Sequence, residues 1–172
     1  MISRTLQLPV IVTTVVLLFV LAGTVSAQDE DVAALVAALK EAKLTLQEGL
    51  KASEREGRPI SAQYEMEDGK LRLSIYTAKG DDLTEVIADP NSGSVVRAEK
   101  ITDSDDLNDA MDQKSAMDKA TVSLLAAADT AEKANPGSRV VGIFADMEDG
   151  HAVAQVTLLQ GMTAKKVTEK LD

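Results

Sequence analysis

Two short acidic segments decide the fold of this chain: EMEDG at residues 65–69 recurs as DMEDG at residues 146–150, an offset of 81 residues. Each segment ends in Asp-Gly, as Asp68-Gly69 and Asp149-Gly150, which is a strong signal for a two-residue β-hairpin turn. Apolar and polar residues alternate after both turns, with matching apolar positions. A match that extends from the turn into the following strand predicts that one module occurs twice.

The same order of elements surrounds each turn. A helix is predicted at residues 31–55, where apolar side chains recur every three or four positions until Gly57 and Pro59. A second helix is predicted at residues 115–134, before Asn135-Pro136-Gly137. Alternation then predicts strands, which lie at 60–66, 71–75, 83–88 and 94–98 in the first copy and at 140–147, 152–159 and 164–170 in the second.

These elements predict an α+β fold of two cystatin-like modules, each with one helix packed on its own small antiparallel sheet. The first module covers residues 28–101, an acidic linker covers 102–113, and the second module covers 114–172 with its last strand truncated. The missing fourth strand leaves a sheet edge that either another chain or the first copy would cover. The arrangement of the modules and the oligomeric state stay open at this point.

Residues 1–27 are typical of a cleavable signal peptide. Arg4 is the one charged residue before an apolar stretch at residues 8–22, and small residues follow up to Ala27. We predict cleavage after Ala27 and a periplasmic or secreted protein. An uncleaved membrane anchor is the alternative, and Pro9 and the small residues disfavour it.

Composition narrows the classes of function. The chain has no cysteine, so it has neither disulfides nor thiol chemistry. Its net charge is −10, and the loss of Arg4 with the signal peptide makes it −11. A strongly acidic chain is not expected to bind nucleic acid or an anionic membrane surface. Aromatic residues make up only 2% of the sequence, so the core must consist mainly of Ala, Val, Leu and Ile.

The order of elements resembles the PepSY domain family. In that family the last strand runs into a turn with Asp at its start and Gly four positions later, and Asp89 and Gly93 match this ending. Pro90 and Ser92 differ from the Ala and Thr that are usual there, and the second copy lacks the ending. The resemblance implies a helix packed on an antiparallel sheet and a role in binding or restraining proteases or other extracytoplasmic proteins. It implies no catalytic residues.

Few residues qualify as candidate sites. His151 is the only histidine, it follows a hairpin turn, and it is interpreted as a surface residue because it has no cysteine or second histidine beside it. The acidic segment 103–109 lacks the glycine and the spacing of a calcium-binding EF-hand loop. The turn from Asp89 to Gly93 is better explained by hydrogen bonds within the turn. We therefore predict no catalytic residue, no cofactor and no metal site.

Two functions remain after this elimination. The first is a non-enzymatic protein-interaction module whose partner is a peptidase or another envelope protein, with protease modulation or inhibition as one form of that role. The second is a low-affinity cation-binding or solute-binding envelope protein that uses its acidic surface. No nucleophile and base occur in a recognisable catalytic pattern, so an enzyme is not expected.

Overall fold

The computed structural model describes residues 27–172, so the signal peptide predicted at residues 1–27 lies outside the described residues except for Ala27. The described part contains four helices and seven strands in the order α1 (Ala27–Glu41), α2 (Leu46–Ser53), β1 (Arg58–Glu67), β2 (Lys70–Lys79), β3 (Asp82–Ala88), β4 (Val95–Lys100), α3 (Ser104–Lys119), α4 (Leu124–Ala134), β5 (Arg139–Glu148), β6 (His151–Gln160) and β7 (Thr163–Lys170). No helix in this part is both long and apolar enough to cross a membrane.

All seven strands belong to one antiparallel sheet in the order β4-β3-β2-β1-β5-β6-β7. The prediction of two modules, each with its own sheet, is therefore wrong. The halves join where β1 pairs with β5, through Ser61–Phe144, Ala62–Ile143 and Gln63–Gly142. In two separate modules both strands would leave a row of backbone N–H and C=O groups unpaired, and one shared sheet satisfies them.

The offset of 81 residues reappears in the sheet. Strands β1, β2 and β3 begin at residues 58, 70 and 82, and β5, β6 and β7 begin at 139, 151 and 163. The central pair, Ala62 and Ile143, has the same offset, so exchanging the two halves leaves the register between them unchanged. The strands of the two halves are thus related by a local twofold axis through this pair.

One face of the sheet is apolar across its whole width. Cross-strand partners project on the same face, and one such row runs through all seven strands as Ala98, Val86, Ile75, Ala62, Ile143, Val156 and Val167. Helices α2 and α4 pack side by side on this face, and the amide of Gln47 in α2 donates a 2.5 Å hydrogen bond to Glu132 in α4. Most of the buried core lies between these two helices and the sheet.

The opposite face of the sheet carries a row of mostly polar side chains. Its members are mostly polar and also cross all seven strands, as Glu99, Glu85, Tyr76, Ser61, Phe144, Gln155 and Thr168. Helix α3 lies on this face, with the Asp106 carboxylate beside the Tyr76 hydroxyl. The sheet is thus covered by helices on both faces, which accounts for the burial of Ser61 and Ser74.

Both predicted helices are divided. The helix expected at residues 31–55 ends at Glu41, and a new one begins after Thr45, where Thr45 and Glu48 form a capping box. The helix expected at residues 115–134 is likewise broken before Ser123, whose side chain accepts from the Ala126 N–H at the start of α4. Each half therefore carries two helices instead of one.

The segment predicted as an acidic linker, residues 102–113, lies mostly in α3. Its acidic residues stand near the positive end of that helix, where negative charge is favourable. The segment is therefore part of the layer that covers the polar face of the sheet.

Candidate functional site

The two Asp-Gly segments lie at hairpin tips. Asp68 and Asp149 both have φ of 50°, and Gly69 and Gly150 have φ of 71° and 86°. Two successive residues with positive φ form the turn that matches the twist of a two-residue hairpin. A Cβ added at either glycine would meet nothing within 4 Å, so the tips project away from the rest of the chain. These residues set the register of the strands.

The turn from Asp89 to Gly93 holds the loop between α1 and α2. The Asp89 carboxylate accepts from the Asn91 N–H at 2.8 Å and from the Ser92 hydroxyl at 2.9 Å. These bonds to its charged form lower the pKa of Asp89. Within the same turn the carbonyl of Pro90 accepts from two backbone N–H groups, those of Lys43 and Leu44. The polar groups of this turn are therefore already engaged in hydrogen bonds that stabilise the fold.

The acidic segment 103–109 is explained by helix capping. Asp103 is the N-cap residue of α3, and its carboxylate accepts from the backbone N–H groups of Asp105 and Asp106. Within residues 27–172, no group of three or more His, Asp or Glu side chains is arranged to hold a metal ion.

His151 lies on the surface, with an acidic partner. Its Nδ1 is 2.7 Å from the carboxylate of Asp172, and its side chain is 71% exposed. This hydrogen bond lowers the pKa of Asp172. Because the Leu171 N–H also donates to the Ala152 carbonyl, the pair helps to hold the end of the chain against the start of β6.

Three carboxyl groups surround Tyr76 on the α3 face of the sheet. Glu65 and Glu85 come from β1 and β3, and Asp106 comes from α3. Burial, followed by the negative charge of Glu85, raises the pKa of Glu65, and burial also raises the pKa of Asp106. Burial first, then Asp106 and Glu85, raises the pKa of Tyr76. The register of the sheet and the packing of α3 on it bring these four side chains together, so sequence reasoning missed the cluster.

Two grooves flank α3. The first, of about 250 Å³, lies between the end of α2 and the start of α4 and is lined mainly by apolar groups such as Pro59, Met117 and Leu124. The second, of about 340 Å³, lies between α3 and the neighbouring strands, with Phe144 beside acidic residues of α3. The first groove includes Glu54 and Ser123 in its lining, but the Ser123 side chain accepts from the Ala126 N–H as the N-cap of α4, and no hydrogen bond joins it to Glu54. The second groove has no Ser or Thr in its lining, so neither groove shows a nucleophile held by a general base.

Two arginines tie the halves of the sheet together. Arg58, the first residue of β1, donates to the carbonyls of Met117 and Ala120 at the end of α3, at 2.5 and 3.2 Å. Arg139, the first residue of β5, donates to the carbonyls of Leu39 and Leu44 at 2.7 and 2.9 Å. Each cation therefore binds a carbonyl in the last turn of a helix from the other half, Met117 of α3 or Leu39 of α1, where the helix dipole is negative, and one further carbonyl just beyond that helix. Arg58 and Arg139 are 81 residues apart.

Among residues 27–172 the sheet ends in two open edges, β4 and β7, and both carry backbone groups that no described residue pairs. In β4 the N–H of Ile101, just past the strand, donates to Leu83, so alternation directs the groups of Lys100 and Ala98 outward. A register shift opposite Ile87 and Ala88 leaves Val96 as the extra residue of a bulge. In β7 the N–H of Leu171 donates to Ala152, so the even-numbered residues 164–170 direct their groups outward. Such rows can accept an additional strand.

The side chains of the two edges differ. Strand β7 carries Lys165, Lys166 and Lys170, and lysines on an edge strand oppose indiscriminate pairing. Strand β4 also carries charged residues, Arg97, Glu99 and Lys100, but beside them it exposes Val96. The Val96 side chain is 68% exposed and is the most exposed of the large hydrophobic side chains among the described residues. Sequence reasoning named edge strands in general, but the two edges could be told apart only once the strand order was known.

Comparisons with known proteins assign no family. Neither the family models nor the curated proteins contain a match to this chain. The 1.85 Å crystal structure of a candidate lipoprotein from Clostridium difficile 630 is similar at a TM-score of 0.39 and 14% identity, over 71% of this chain and 80% of that one. That degree of similarity is too weak to establish a shared fold. The resemblance to the PepSY family stays a prediction from the sequence.

Proposed function

We propose that this chain is an exported, non-enzymatic protein-interaction module that binds an extended segment of a partner protein at the β4 edge. The observation that carries the proposal is the exposed Val96 on an open edge strand. Strand β4 carries charged residues as β7 does, but its exposed Val96 remains an apolar group on an edge strand, which is a liability for unwanted pairing. An edge left open in this way is explained if a partner strand covers it.

Backbone pairing would supply the affinity of such a complex. The outward groups of Ala98 and Lys100 have the two-residue spacing that an added strand needs, as in other cases of β-strand addition. Specificity would come from the side chains beside them. On the α3 face Arg97 lies 3.6 Å from both Glu85 and Glu99, so its charge is already compensated there. Val96 then favours a partner segment with apolar side chains opposite it.

The class of partner rests on the sequence. The signal-like N-terminus supports export of the chain, and the resemblance to PepSY modules favours a peptidase or another envelope protein as partner. Restraint of a protease is the specific form of the proposal, because an extended segment of a peptidase, such as a surface loop near its cleft, suits an open strand edge.

Crosslinking in the cells that produce the chain tests the site. A photoreactive residue replaces Val96, and the captured protein is identified by mass spectrometry. Ala98→Pro removes an outward N–H without removing a bond to β3, since Ala98 does not donate to that strand. We expect Ala98→Pro to abolish the crosslink, whereas Lys166→Pro at the other edge leaves it intact.

Two results would overturn the proposal. Capture that survives Ala98→Pro would show that the partner does not add to β4. Equal capture by photoreactive residues at Val96 and at Lys166 would show that neither edge is specific. If the captured protein is a peptidase, its activity on a peptide substrate should fall when the purified chain is added, and Ala98→Pro should prevent that fall.

A further inference from the structure

We propose that the β7 edge binds the β7 edge of a second copy of this chain, in one antiparallel register centred on Val167. This site is separate from the β4 edge, so the inference goes beyond the function proposed above. The backbone supports it because Ala164, Lys166, Thr168 and Lys170 direct their N–H and C=O groups outward along the strand. An antiparallel twofold pair uses such a row on both copies equally.

The charges on β7 select this register. With Val167 opposite Val167 of the second copy, Lys165 faces Glu169 of that copy, and Lys166 faces Thr168. The opposite-charge pair of Lys165 and Glu169 occurs twice because of the twofold axis. A shift must cover two residues to keep the outward backbone groups paired. A two-residue shift in one direction places Lys166 opposite Lys166 of the second copy, and a two-residue shift in the other direction places it opposite Lys170 of that copy. Like charges directly opposite each other are destabilising, so both shifted registers are disfavoured.

The charged side chains that this register would pair have no oppositely charged partner among the described residues. Within the described residues Glu169 takes part in no ion pair, and Lys165 reaches only a neutral partner, the side-chain oxygen of Asn135 at 2.8 Å. On β4, in contrast, Arg97 already pairs with two glutamates of its own chain. Charge complementarity is therefore available at β7 and already used at β4.

The apolar row of the sheet gives a second reason. That row ends at the half-buried Val167, on the face that α2 and α4 cover. In the proposed register two valines meet across the twofold axis, and the row continues from one copy into the other. Aliphatic pairs directly opposite in adjacent strands stabilise a sheet. Lysines on either side would keep other strands away while this one register remains open.

Charge exchange tests the register. The self-association of the purified full chain is measured by sedimentation equilibrium for the wild type, for Glu169→Lys, for Lys165→Glu and for the double variant that carries both changes. Each single change replaces two attractive pairs by two like-charge pairs, so we expect each to weaken the dimer by about tenfold or more. The double variant restores opposite charges across the axis and should dimerise as the wild type does.

Proline variants test the edge itself. Lys166→Pro removes an outward N–H and should abolish the dimer, whereas Ala98→Pro on β4 should not change it. Circular dichroism verifies that every variant is folded, and a variant that is not folded is replaced by Thr168→Pro at the next outward position. A wild-type chain that stays monomeric up to its solubility limit would overturn the proposal. A dimer that survives Lys166→Pro, or single charge variants that the double variant does not rescue, would overturn it as well.

Discussion

Replacing Arg139 by methionine tests how the two halves are held together. The guanidinium of Arg139 donates to the carbonyl of Leu39 in the last turn of α1 and to that of Leu44 in the loop before α2. It also donates to the Tyr64 hydroxyl at 2.9 Å, and its carbon lies 5.1 Å from the centre of the Tyr64 ring. All three partners belong to the first half of the chain, whereas Arg139 belongs to the second half. We predict that Arg139→Met lowers the stability of the whole described domain.

The magnitude follows from the number of bonds lost. A hydrogen bond to a charged group contributes about 1.5 kcal/mol at the low end of its range. Three such bonds are lost, and water replaces part of them at a partly exposed site, so we expect a loss of about 3 kcal/mol. Arg58→Met removes two bonds, one of them long at 3.2 Å, and should lose about 2 kcal/mol. Methionine retains most of the apolar stem in both variants.

Urea unfolding followed by circular dichroism measures these losses, with Arg55→Met as the matched control. The Arg55 side chain is 63% exposed and pairs only with its neighbour Glu56, so its replacement should change stability by less than about 0.5 kcal/mol. We expect one transition with an unchanged slope in every variant, because the halves share one sheet. A loss for Arg139→Met no larger than that for Arg55→Met would refute the reasoning. Two transitions in the wild type would refute it too.

Three further predictions concern single contacts, and urea unfolding checks each of them. Gly49→Ala should cost about 2 kcal/mol, since the new Cβ would lie 2.2 Å from Cδ2 of Leu73; no loss would mean that α2 lies farther from the sheet. Asp103→Ala should cost about 1 kcal/mol by removing the N-cap of α3, with Asp103→Asn, which keeps a capping oxygen, as the control. Burial raises the pKa of Glu65, so its ionised form disfavours the native state at neutral pH. Glu65→Gln should therefore raise the urea midpoint at pH 7. The gain should vanish as the pH falls below about 4.5, where Glu65 is protonated in both the folded and the unfolded chain. A gain that does not depend on pH would show that the buried charge is not its cause.

The strands of the second half could be predicted closely because turn chemistry is local. The predicted strands at 140–147, 152–159 and 164–170 lie within one residue of β5, β6 and β7. An Asp-Gly pair needs no information from distant residues to adopt positive φ, and the turn then fixes which residues alternate on each side. The same local rule accounts for the Asp89 turn.

The breaks in the helices were missed although the sequence contains their signal. Thr45 and Glu48 stand three residues apart, which is the capping-box spacing that starts a helix. The apolar periodicity of residues 31–55 continues across this position and hides it. No glycine or proline marks the break, so only the capping residues indicate that a second helix begins.

The shared sheet was missed because strand order depends on contacts between distant residues. One clue was present: residues 140–145 read VVGIFA, an unbroken run without polar alternation. Such a run is typical of a strand covered on both faces, which requires a central position in the sheet. The clue could not identify β1 as the neighbour of β5, since that choice depends on the packing of α2 against α4.

The reciprocal contacts of Arg58 and Arg139 also explain why the two edges proposed for binding lie where they do. Each half alone would expose its first strand and the last carbonyls of one helix, and the other half covers both. Joining through β1 and β5 leaves β4 and β7 as the outermost strands, six spacings or about 29 Å apart at ~4.8 Å per strand. A partner on β4 and a second copy on β7 would therefore not compete for space. A dimer through β7 would carry two β4 edges facing away from each other, and binding to a partner with two sites would then be bivalent.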